Sequence, residues 1–409
     1  MSGEKLNLTQ NPDLRSVQAL LEQAFDEETA RLYEAVITRR AHHKKVRGVG
    51  VVTPEKEVVA FAALLPFWLV IDGLTVEVGE IGFVATSQNY RYQGLFRRIH
   101  GRLMELAQRA NYPLTVVFGI PGFYRRFGYG YAPEFDWRSE IDAAQARALP
   151  ADRKFIARKA GPEDGARLHH LREQHVKSIA RIYTPRSTEM WRWQIETAEK
   201  LQHAETLVLE KDEEIFGYIR VSSEWGKFAL VEAVGLTVNT LRPVLRMLGG
   251  MAEKKGKTSF LVKLPGPDPL AAVLCHYGAS EAAPVYGLQS HILDTGLLLE
   301  KLRPVLEQRL AHSPFADLSC EVPITIYPKR FHIAIQEGRV INLNDDHSYS
   351  MDDCLRMGAE TFLRLVLGRT PIKTLIKEHR DVRCPATLEP VINTLFPQMA
   401  PHICPLDAV

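Results

Sequence analysis

The pattern of apolar and polar positions over the first 150 residues alternates between helical and strand-like stretches. Residues 14–33 carry apolar side chains at the spacing of one helix face, which predicts a helix there. Asp72-Gly73 is a strong hairpin turn between two runs rich in β-branched and aromatic residues. The predicted strands are 49–52, 58–70, 74–78, 80–86 and 114–119. This order of strands around a hairpin, a turn and a helix predicts a mixed α/β layer fold.

A second stretch of the chain repeats this order of elements. Residues 143–154 are polar and rich in Ala and Arg, so we predict a linker out of the first unit. The pattern restarts at Phe155, and the segment RKAGPEDGARLHHLREQHV at 158–176 predicts a helix with an Asp at its start. The elements predicted after it are strands at 207–209, 215–221, 229–234 and 259–262 and a helix at 244–255. This second stretch has no equivalent of the polar turn that residues 87–94 form in the first.

The last third of the chain, from near His291, predicts a smaller unit with an antiparallel meander. The predicted strands are 321–327, 331–336 and 339–343, and the predicted helices are 297–310, 351–367 and 372–377. Gly368 is placed as a C-terminal helix stop. Residues 393–409 are Pro-rich and are predicted to be extended. The fold class expected for the whole chain is therefore α+β, built from mixed α/β layers.

Composition and charge narrow the class of protein. With 45% apolar and 24% charged residues, the 409-residue chain is typical of a globular protein of several domains. Its 51 Lys and Arg residues nearly balance 49 Asp and Glu residues, so charge gives no support for a dedicated nucleic-acid or membrane-surface binder. The five cysteines contain no CxxC pair, so no metal site is expected.

The sequence also predicts where the protein resides. The first residues lack the apolar segment of a signal peptide. The longest apolar run, residues 58–71, is interrupted by Pro66 and is shorter than the roughly 20 residues that a membrane span needs. We therefore expect a cytoplasmic protein without a membrane span.

The candidate chemistry lies in residues 80–103. A predicted strand leads into a tight turn with Arg91 and Gly94, and an amphipathic helix starts at once. Glycine lets the backbone approach a ligand closely, and the free N–H groups of a first helical turn attract anions, so this pattern suits a pyrophosphate. Arg97 and Arg98 add positive charge. The alternative is a plain strand–turn–helix connection with a solvated basic face.

Two sequence blocks resemble one family of enzymes. The turn, RYQGLF preceded by VATSQNY, resembles the acetyl-CoA-binding motif of the GNAT N-acetyltransferases, (Arg/Gln)-x-x-Gly-x-(Gly/Ala). The third motif position is Phe96 instead of Gly or Ala. This is closer to the enhanced intracellular survival (Eis) branch, whose turn commonly reads Arg-Arg-x-Gly-Leu-Leu. The second block, GIPGFYRRFGYG at 119–130, is similar to that family's Ile-Tyr-x-Arg-Phe-Gly-Tyr-Gly segment.

The resemblance extends to the order of the units. Eis-like proteins join a GNAT domain, a second, degenerate GNAT-like domain and a C-terminal domain that resembles sterol carrier protein 2 (SCP2). The resemblance therefore implies a GNAT domain at 1–147, a degenerate GNAT-like domain at 148–292 and an SCP2-like domain at 293–409. It also implies a homo-oligomer, since the family tends to form hexamers.

The resemblance implies how acetyl-CoA would bind as the co-substrate. The backbone of Val84, Ala85 and Thr86 would pair with the pantetheine arm, and a bulge there would offer an N–H to the thioester oxygen. Gly119 and Ile120, at the end of the next strand, would flank the cofactor. The residues expected around the pyrophosphate are Arg91, Tyr92, Gln93, Gly94, Leu95, Phe96 and Arg97.

The resemblance also implies an acid. Tyr124 would protonate the departing CoA thiolate, because the pKa of a phenol, about 10, is close to that of a thiol, about 8.5. The alternative is a structural role for Tyr124 in an aromatic cluster. The partners in that cluster would be Phe123, Phe127, Tyr129 and Tyr131.

The implied base is the carboxylate at the end of the chain, here that of Val409. Family members often end in an aromatic residue, so an end in Leu-Asp-Ala-Val departs from their pattern. Asp407 is an alternative acidic group, and a disordered tail is the other alternative. Asp26 and Glu27 are candidates for an acidic pocket that attracts cationic substrates, with a solvated helix face as the alternative.

The expected function is therefore direct acetyl transfer from acetyl-CoA to a primary amine within a ternary complex. Aminoglycosides, polyamines and protein lysines all fit as the amine. Two alternatives stay open. One is a transferase for a longer acyl-CoA, and the other is a lipid-binding module that carries a vestigial transferase.

Overall fold

The computed structural model describes residues 6–39, 45–133, 138–150, 155–224, 226–264, 268–282, 287–345, 349–350 and 352–407. Val409 lies outside the described residues. The strands are β1 (Asn7–Gln10), β2 (Arg47–Val52), β3 (Val58–Ile71), β4 (Leu74–Thr86), β5 (Leu114–Gly119), β6 (Gly130–Tyr131), β7 (Ser139–Asp142), β8 (Ile156–Lys159), β9 (Ile182–Tyr183), β10 (Ala204–Lys211), β11 (Glu214–Glu224), β12 (Lys227–Val234), β13 (Ser259–Val262), β14 (Ser280–Glu281), β15 (Gly287–Ile292), β16 (Cys320–Ile326), β17 (Lys329–Gln336), β18 (Arg339–Asp345), β19 (Leu355–Met357) and β20 (Pro401–His402).

The α-helices alternate with these strands. They are α1 (Leu14–Ala24), α2 (Glu27–Thr38), α3 (Leu95–Arg109), α4 (Ala143–Ala148), α5 (Gly165–Ile179), α6 (Thr188–Trp193), α7 (Glu199–Leu201), α8 (Val238–Lys254), α9 (Pro269–Val273), α10 (Thr295–Ala311), α11 (Ala359–Val366), α12 (Ile372–Glu378) and α13 (Glu389–Leu395). Among the described helices, none has both the length and the apolar character needed to cross a bilayer.

The first sheet has the order β1-β2-β3-β4-β5-β15-β6, with the short β9 and β20 added beside the end of β3. The β3–β4 hairpin turns at Asp72 and Gly73, which both have positive φ, so the predicted turn is confirmed. β4 and β5 are parallel, and α3 connects them. Successive side chains of β3 pack alternately under α3 and under α1 and α2, so helices cover both faces of this sheet.

The second sheet repeats this plan with the order β14-β7-β13-β12-β11-β10-β8. Here β12 and β13 are the parallel pair, and α8 connects them as α3 connects β4 and β5. The prediction that the second stretch repeats the elements of the first is therefore confirmed. The mixed α/β character expected for the chain is confirmed as well.

The first two sheets exchange one strand each. β7 follows β6 in the chain but lies between β13 and β14 in the second sheet. β15 follows β14 in the chain but lies between β5 and β6 in the first sheet, with Gly287 opposite Gly119 and Ile292 opposite Leu114. Residues 139–142 of the predicted first domain therefore complete the second sheet, and residues 287–292 of the predicted second domain complete the first.

The third sheet has the order β18-β17-β16-β19 and contains the predicted antiparallel meander. Its apolar face does not form a separate core. Val78 on β4 and Leu288 on β15 belong to the same buried cluster as Leu302 on α10 and Phe362 on α11. The C-terminal unit is thus packed directly onto the first sheet.

Several sequence predictions differ from the structure, and among them residues 393–395, which were predicted to be extended, end helix α13. The helix predicted over 14–33 is two helices, because the Asp26 carboxylate accepts a hydrogen bond from the Thr29 N–H at 2.7 Å and starts α2. The linker predicted over 143–154 begins with helix α4, which Asp142 caps in the same way and which packs on α8. In the helix predicted over 351–367, residues 355–357 form β19, and only 359–366 are helical.

Candidate active site

The parallel strands β4 and β5 pair over a short length only. Their described register is Gly79 opposite Thr115 and Glu80 opposite Val116, although β4 continues to Thr86 and β5 to Gly119. Beyond Glu80, the edge of β4 that faces β5 has no strand partner among the described strands. We call this opening the β4–β5 cleft. Its free backbone groups are available to an extended ligand.

A β-bulge lies on β4 inside this cleft. Phe61 pairs with Ala85 and Ala63 with Gly82, so β4 holds one more residue than β3 at this point. Phe83 takes a positive φ of 53° there. A bulge turns backbone groups out of the regular ladder. The predicted bulged backbone around Val84 and Ala85 is therefore present.

The turn between β4 and α3 leaves backbone donors free. Tyr92 and Gly94 have φ of 64° and 71°, and Gly94 is the residue at which α3 begins. Among the described residues, none accepts a hydrogen bond from the backbone N–H groups of residues 92–96. The Arg91 side chain bonds back to the Thr86 carbonyl at 3.4 Å. Adjacent free N–H groups at a helix start form an anion site.

At the start of α8 in the second unit, the residue before the helix has its N–H bonded to a side chain, unlike Gly94. At the start of α8, the Thr240 hydroxyl accepts from the Thr237 N–H at 2.8 Å, and the Thr237 carbonyl accepts from the Thr240 N–H at 3.0 Å. The Thr237 N–H is thus bonded to a side chain of α8, whereas no described residue accepts from the Gly94 N–H. This difference favours a ligand at the first unit.

Phe96, where the GNAT motif has Gly or Ala, points into the protein. It is buried, and its ring lies 5.9 Å from that of Tyr124 and 5.0 Å from that of Phe127. Tyr92, in contrast, is fully exposed. Phe96 therefore packs its ring beneath the segment of Tyr124. Its side chain does not cover the backbone of the turn.

Tyr124 is buried at the end of β5. Its ring lies within 6 Å of those of Phe123 and Tyr129, so the aromatic cluster considered for it exists. It also lies directly against Gly119, where an added Cβ would be 2.2 Å from the Tyr124 ring. The aromatic cluster thus contacts Gly119, the glycine that was predicted to flank the cofactor. Tyr131 is stacked beneath Arg369 of the C-terminal unit instead.

The second unit carries a different residue at the position of Tyr124. A 3₁₀ turn over Tyr124–Phe127 ends at Gly128 with φ of 87°, and a matching 3₁₀ turn over Leu274–Tyr277 ends at Gly278 with φ of 84°. By this alignment Leu274 stands where the first unit has Tyr124. The second unit therefore lacks the hydroxyl that Tyr124 provides, and the N–H of the residue before its helix α8 is bonded to Thr240.

The exchanged strand β15 adds one residue that the sequence did not single out. Gln289 is fully buried, and its side-chain amide donates to the Gly119 carbonyl at 3.1 Å. Gln289 thus holds the end of β5 in place. Its contact depends on a strand 170 residues away in the chain, so local sequence patterns carried no signal for it.

The titratable side chains of the aromatic cluster around Tyr124 are kept uncharged by burial. Burial lowers the pKa of His100 to about 4, with nearby His291 and Arg97 lowering it further. Burial also lowers the pKa of His291 and raises that of Tyr129, whose hydroxyl bonds to Thr115 at 2.8 Å. The cluster therefore carries no charge near neutral pH.

The predicted acidic residues differ in their exposure. Asp26 and Glu27 are exposed at the start of α2, where Asp26 caps the helix and Glu27 lies 3.8 Å from Arg31. Asp26, Glu28 and His203 each bring one ligand atom within 4.8 Å of the others, without an ion between them. Asp407 is buried and bonded to Arg186.

Comparison with known proteins agrees with this geometry. Residues 6–132 match the protein family described as the acetyltransferase (GNAT) domain. The chain has a GNAT fold. No protein among those with a curated description matches it.

Solved structures match over nearly the whole chain. The GCN5-related N-acetyltransferase from Kribbella flavida is 21% identical, with a TM-score of 0.68 and 99% of each chain covered. Eis1 from Mycobacterium abscessus is 15% identical, with a TM-score of 0.60, covering 98% of this chain and 99% of its own. The GNAT fold therefore extends to proteins with the same length and order of units.

A more distant match concerns a different acyl group. N-myristoyltransferase from Saccharomyces cerevisiae, solved with bound myristoyl-CoA, is 12% identical with a TM-score of 0.51, covering 71% of this chain and 80% of its own. The myristoyl-CoA in that structure is bound by a protein of related fold. The SCP2-like character of residues 293–409, the hexamer and the cytoplasmic location stay predictions.

Proposed function

We propose that the first GNAT unit is an acetyl-CoA-dependent N-acetyltransferase that acts on a primary amine. One observation carries the proposal: α3 of the first unit begins with free N–H groups, from residue 92 to residue 96, beside an unpaired strand edge of β4. An anion and an extended chain fit such a place, and acetyl-CoA combines both.

The cofactor contacts follow from this geometry. The pyrophosphate would accept from the N–H groups of residues 92–96, with Arg91 and Arg97 beside it. The pantetheine arm would pair along Val84, Ala85 and Thr86 on the free edge of β4. Gly119 and Ile120 would line the opposite side of the β4–β5 cleft.

The reaction needs one base and one acid. The amine is protonated at neutral pH and must lose a proton before its nitrogen attacks the thioester carbon. We assign the base to the carboxylate of Val409. The carbon–sulfur bond then breaks, and the CoA thiolate takes the phenolic proton of Tyr124. The bulged backbone near Val84 would donate to the thioester oxygen as negative charge develops.

The role of Tyr124 is tested by CoA release with panels of aminoglycosides, polyamines and lysine peptides. Tyr124→Phe should lower kcat about 100-fold with little change in the KM for acetyl-CoA, because only the proton donor is removed. Tyr129→Phe is the matched control, since it removes the neighbouring buried hydroxyl and should keep kcat. Wild-type kcat in Tyr124→Phe would refute the assignment.

The role of Val409 is tested by moving its carboxylate. A Gly-Ser-Gly extension after Val409 displaces the carboxylate by about 10 Å and keeps all side chains. We expect kcat to fall at least tenfold, whereas the same extension at the N-terminus should have no effect. Equal kcat values for the two extended proteins would contradict the assignment.

A longer acyl-CoA is the second candidate substrate. The observation in its favour is the structural likeness to an N-myristoyltransferase with bound myristoyl-CoA. Competition between acetyl-, octanoyl- and myristoyl-CoA for one amine decides between the two. A higher kcat/KM for the long chains would replace acetyl-CoA in the proposal.

A further inference from the structure

The short strand β6 lies at the outer edge of the first sheet and contacts the C-terminal unit. Gly130 pairs with Ser290, and Tyr131 pairs with Gln289, so β15 occupies one side of β6. Helix α11 packs on β6, since a Cβ added to Gly130 would lie 2.8 Å from the Glu360 side chain. The C-terminal unit therefore contacts the strand that follows the Tyr124 turn in the chain.

Arg369 holds β6 from the side of the C-terminal unit. Its backbone N–H donates to the Arg364 carbonyl at 2.9 Å, so its side chain extends from a fixed turn after α11. The Arg369 guanidinium donates to the Tyr131 carbonyl and lies 5.9 Å from the centre of the Tyr131 ring. One side chain of the C-terminal unit thus contacts both the backbone and the ring of Tyr131.

The Tyr131 ring is linked to the Tyr124 ring through two glycines. A Cβ added to Gly287 would lie 2.9 Å from the Tyr131 ring, so this ring rests directly on the backbone of β15. Gly287 is paired with Gly119 between β15 and β5. A Cβ added to Gly119 would in turn lie 2.2 Å from the Tyr124 ring. Because packed interiors transmit strain, a displacement of Tyr131 reaches Tyr124 along these contacts.

The side chain of Gln289 makes a second connection between the same two places. Gln289 pairs with Tyr131 of β6, and its side-chain amide donates to the Gly119 carbonyl at 3.1 Å. The residue that fixes the end of β5 is therefore itself paired with the residue that Arg369 holds. Both connections begin at Tyr131 and end at Gly119.

The C-terminal unit also contacts the Tyr124 turn itself. Arg125, the residue after Tyr124, forms an ion pair with Glu360 of α11 at 3.2 Å. Both side chains of this pair are largely exposed, so the pair contributes little to stability. It gives a second and weaker contact between the C-terminal unit and the segment that carries Tyr124.

We infer that Arg369 is a positioning residue, through which the C-terminal unit holds Tyr124 in place at the end of β5. This inference rests on the proposed role of Tyr124 as the acid. A proton donor must lie within hydrogen-bond reach of the departing thiolate, and a displacement of about 1 Å can lower a rate about 100-fold. The C-terminal unit thereby takes part in acyl transfer without binding a ligand of its own.

The test is a double-variant cycle on the full chain, with CoA release as the measurement. The proteins are Arg369→Met, Tyr124→Phe and the two changes combined. Arg369→Met keeps an apolar stem and removes the guanidinium, and it should lower kcat about tenfold with less than about a twofold change in the KM for acetyl-CoA. In Tyr124→Phe the same substitution should lower kcat by less than about twofold, because no hydroxyl remains to be positioned.

Arg364→Met is the matched control for Arg369→Met. Arg364 lies on α11, and its guanidinium contacts other residues of the C-terminal unit at 3.0 to 3.2 Å, namely Thr370, Glu378 and His379. Its removal should lower stability and leave kcat unchanged. Hydrogen exchange in residues 128–131 should be faster in Arg369→Met and unchanged in Arg364→Met.

Glu360→Gln is a milder variant on the same helix. It removes the ion pair with Arg125 and should lower kcat about two- to threefold, and only while the Tyr124 hydroxyl is present. If Arg369→Met fails to fold, Glu360→Gln takes its place in the cycle.

The outcomes separate this inference from the proposed function. Wild-type kcat in both Arg369→Met and Glu360→Gln, or equal losses with and without the Tyr124 hydroxyl, would overturn the positioning role and keep Tyr124 as the acid. A loss in Arg364→Met as large as that in Arg369→Met would assign the effect to the stability of the C-terminal unit and overturn the positioning role as well. Full activity of Tyr124→Phe would refute Tyr124 as the acid, and the positioning role with it.

Discussion

Gly119 determines where the Tyr124 ring lies. Its backbone conformation is open to any residue, but an added Cβ would lie 2.2 Å from one ring carbon of Tyr124 and 2.5 Å from the next. The ring is held on its other sides by Phe96, Phe123 and Tyr129. Glycine is therefore required at this position because a side chain would clash with the Tyr124 ring, and not because of its φ.

Gly119→Ala should lower kcat at least tenfold and stability by about 1–3 kcal/mol, because the methyl group displaces a packed ring. Steady-state CoA release and urea unfolding measure the two effects. Gly101→Ala is the control, since no atom lies within 4 Å of its added Cβ within α3, and helix propensity should make it neutral or slightly stabilising. A wild-type kcat in Gly119→Ala would show that catalysis does not depend on the position of the Tyr124 ring.

His100 should make the protein less stable in acid. Its pKa is about 4 in the folded protein and about 6.5 in the unfolded chain, so the unfolded state binds more protons between these values. Stability should therefore be full above pH 6.5 and fall by about 3 kcal/mol as the pH drops to 4. Urea midpoints of His100→Phe should depend less on pH over this range, whereas exposed His276→Asn should match wild type. Equal slopes for His100→Phe and wild type would contradict the assignment.

At the scale of elements, the sequence was informative where the signal is local. The Asp72-Gly73 turn and the helix beginning at Leu95 depend on residues adjacent in the chain, and both predictions are confirmed. The break at Asp26 also had a local signal, an Asp three residues before a Thr, but the apolar stripe continued across it. The place of β15 beside β5 depends on a contact across about 170 residues, for which no local pattern exists.

The candidate site follows the same rule: residues within a local motif could be predicted, and residues that depend on distant contacts could not. The turn before α3 and the segment of Tyr124 each carry a motif that the sequence shows. Gln289 and Arg369 carry no such motif, since each acts on a segment that is distant in the chain.

The start of α3 gives a prediction about cofactor affinity. Gly94→Asp places a carboxylate at the helix start, where it would bond to the free N–H groups and repel a pyrophosphate. The KM for acetyl-CoA should rise at least tenfold, and isothermal titration with CoA should show the same loss. Thr240→Ala is the control at α8, which should cost about 1 kcal/mol of stability and leave the KM unchanged. An unchanged KM in Gly94→Asp would exclude this turn as the phosphate site.

At the scale of the whole molecule, the three units meet at the tip of the β3–β4 hairpin. Asp72 of the first unit accepts from Arg181 of the second at 2.7 Å and from Arg309 of the third at 2.8 Å. Arg309 also donates to the Leu395 carbonyl, and its other nitrogen lies 3.0 Å from the sulfur of Met399. One carboxylate thus joins all three units.

Asp72→Asn should lower the free energy of unfolding by about 2–3 kcal/mol, because two arginines lose their carboxylate. Burial would raise the pKa of Asp72, but Arg181 and Arg309 hold it below its usual value, so this stabilisation is present above about pH 4 and is lost as pH falls further. The exposed pair of Glu77 and Lys45 is the control, and Glu77→Gln should cost less than about 1 kcal/mol. Equal urea midpoints for the two variants would contradict the conclusion that Asp72 joins the three units.

The strand exchange delays completion of the first sheet during synthesis of the chain. β5 leaves the ribosome early, but its neighbour β15 is made 173 residues later, counting from Gly119 to Ile292. At about 5–20 residues per second, the nascent first unit waits roughly 10–30 s with the edge of β5 bare. A bare, apolar strand edge is a template for aggregation. If synthesis stops within this interval, the chain released already contains the turn before α3 and Tyr124, but its first sheet lacks β15 and stays incomplete.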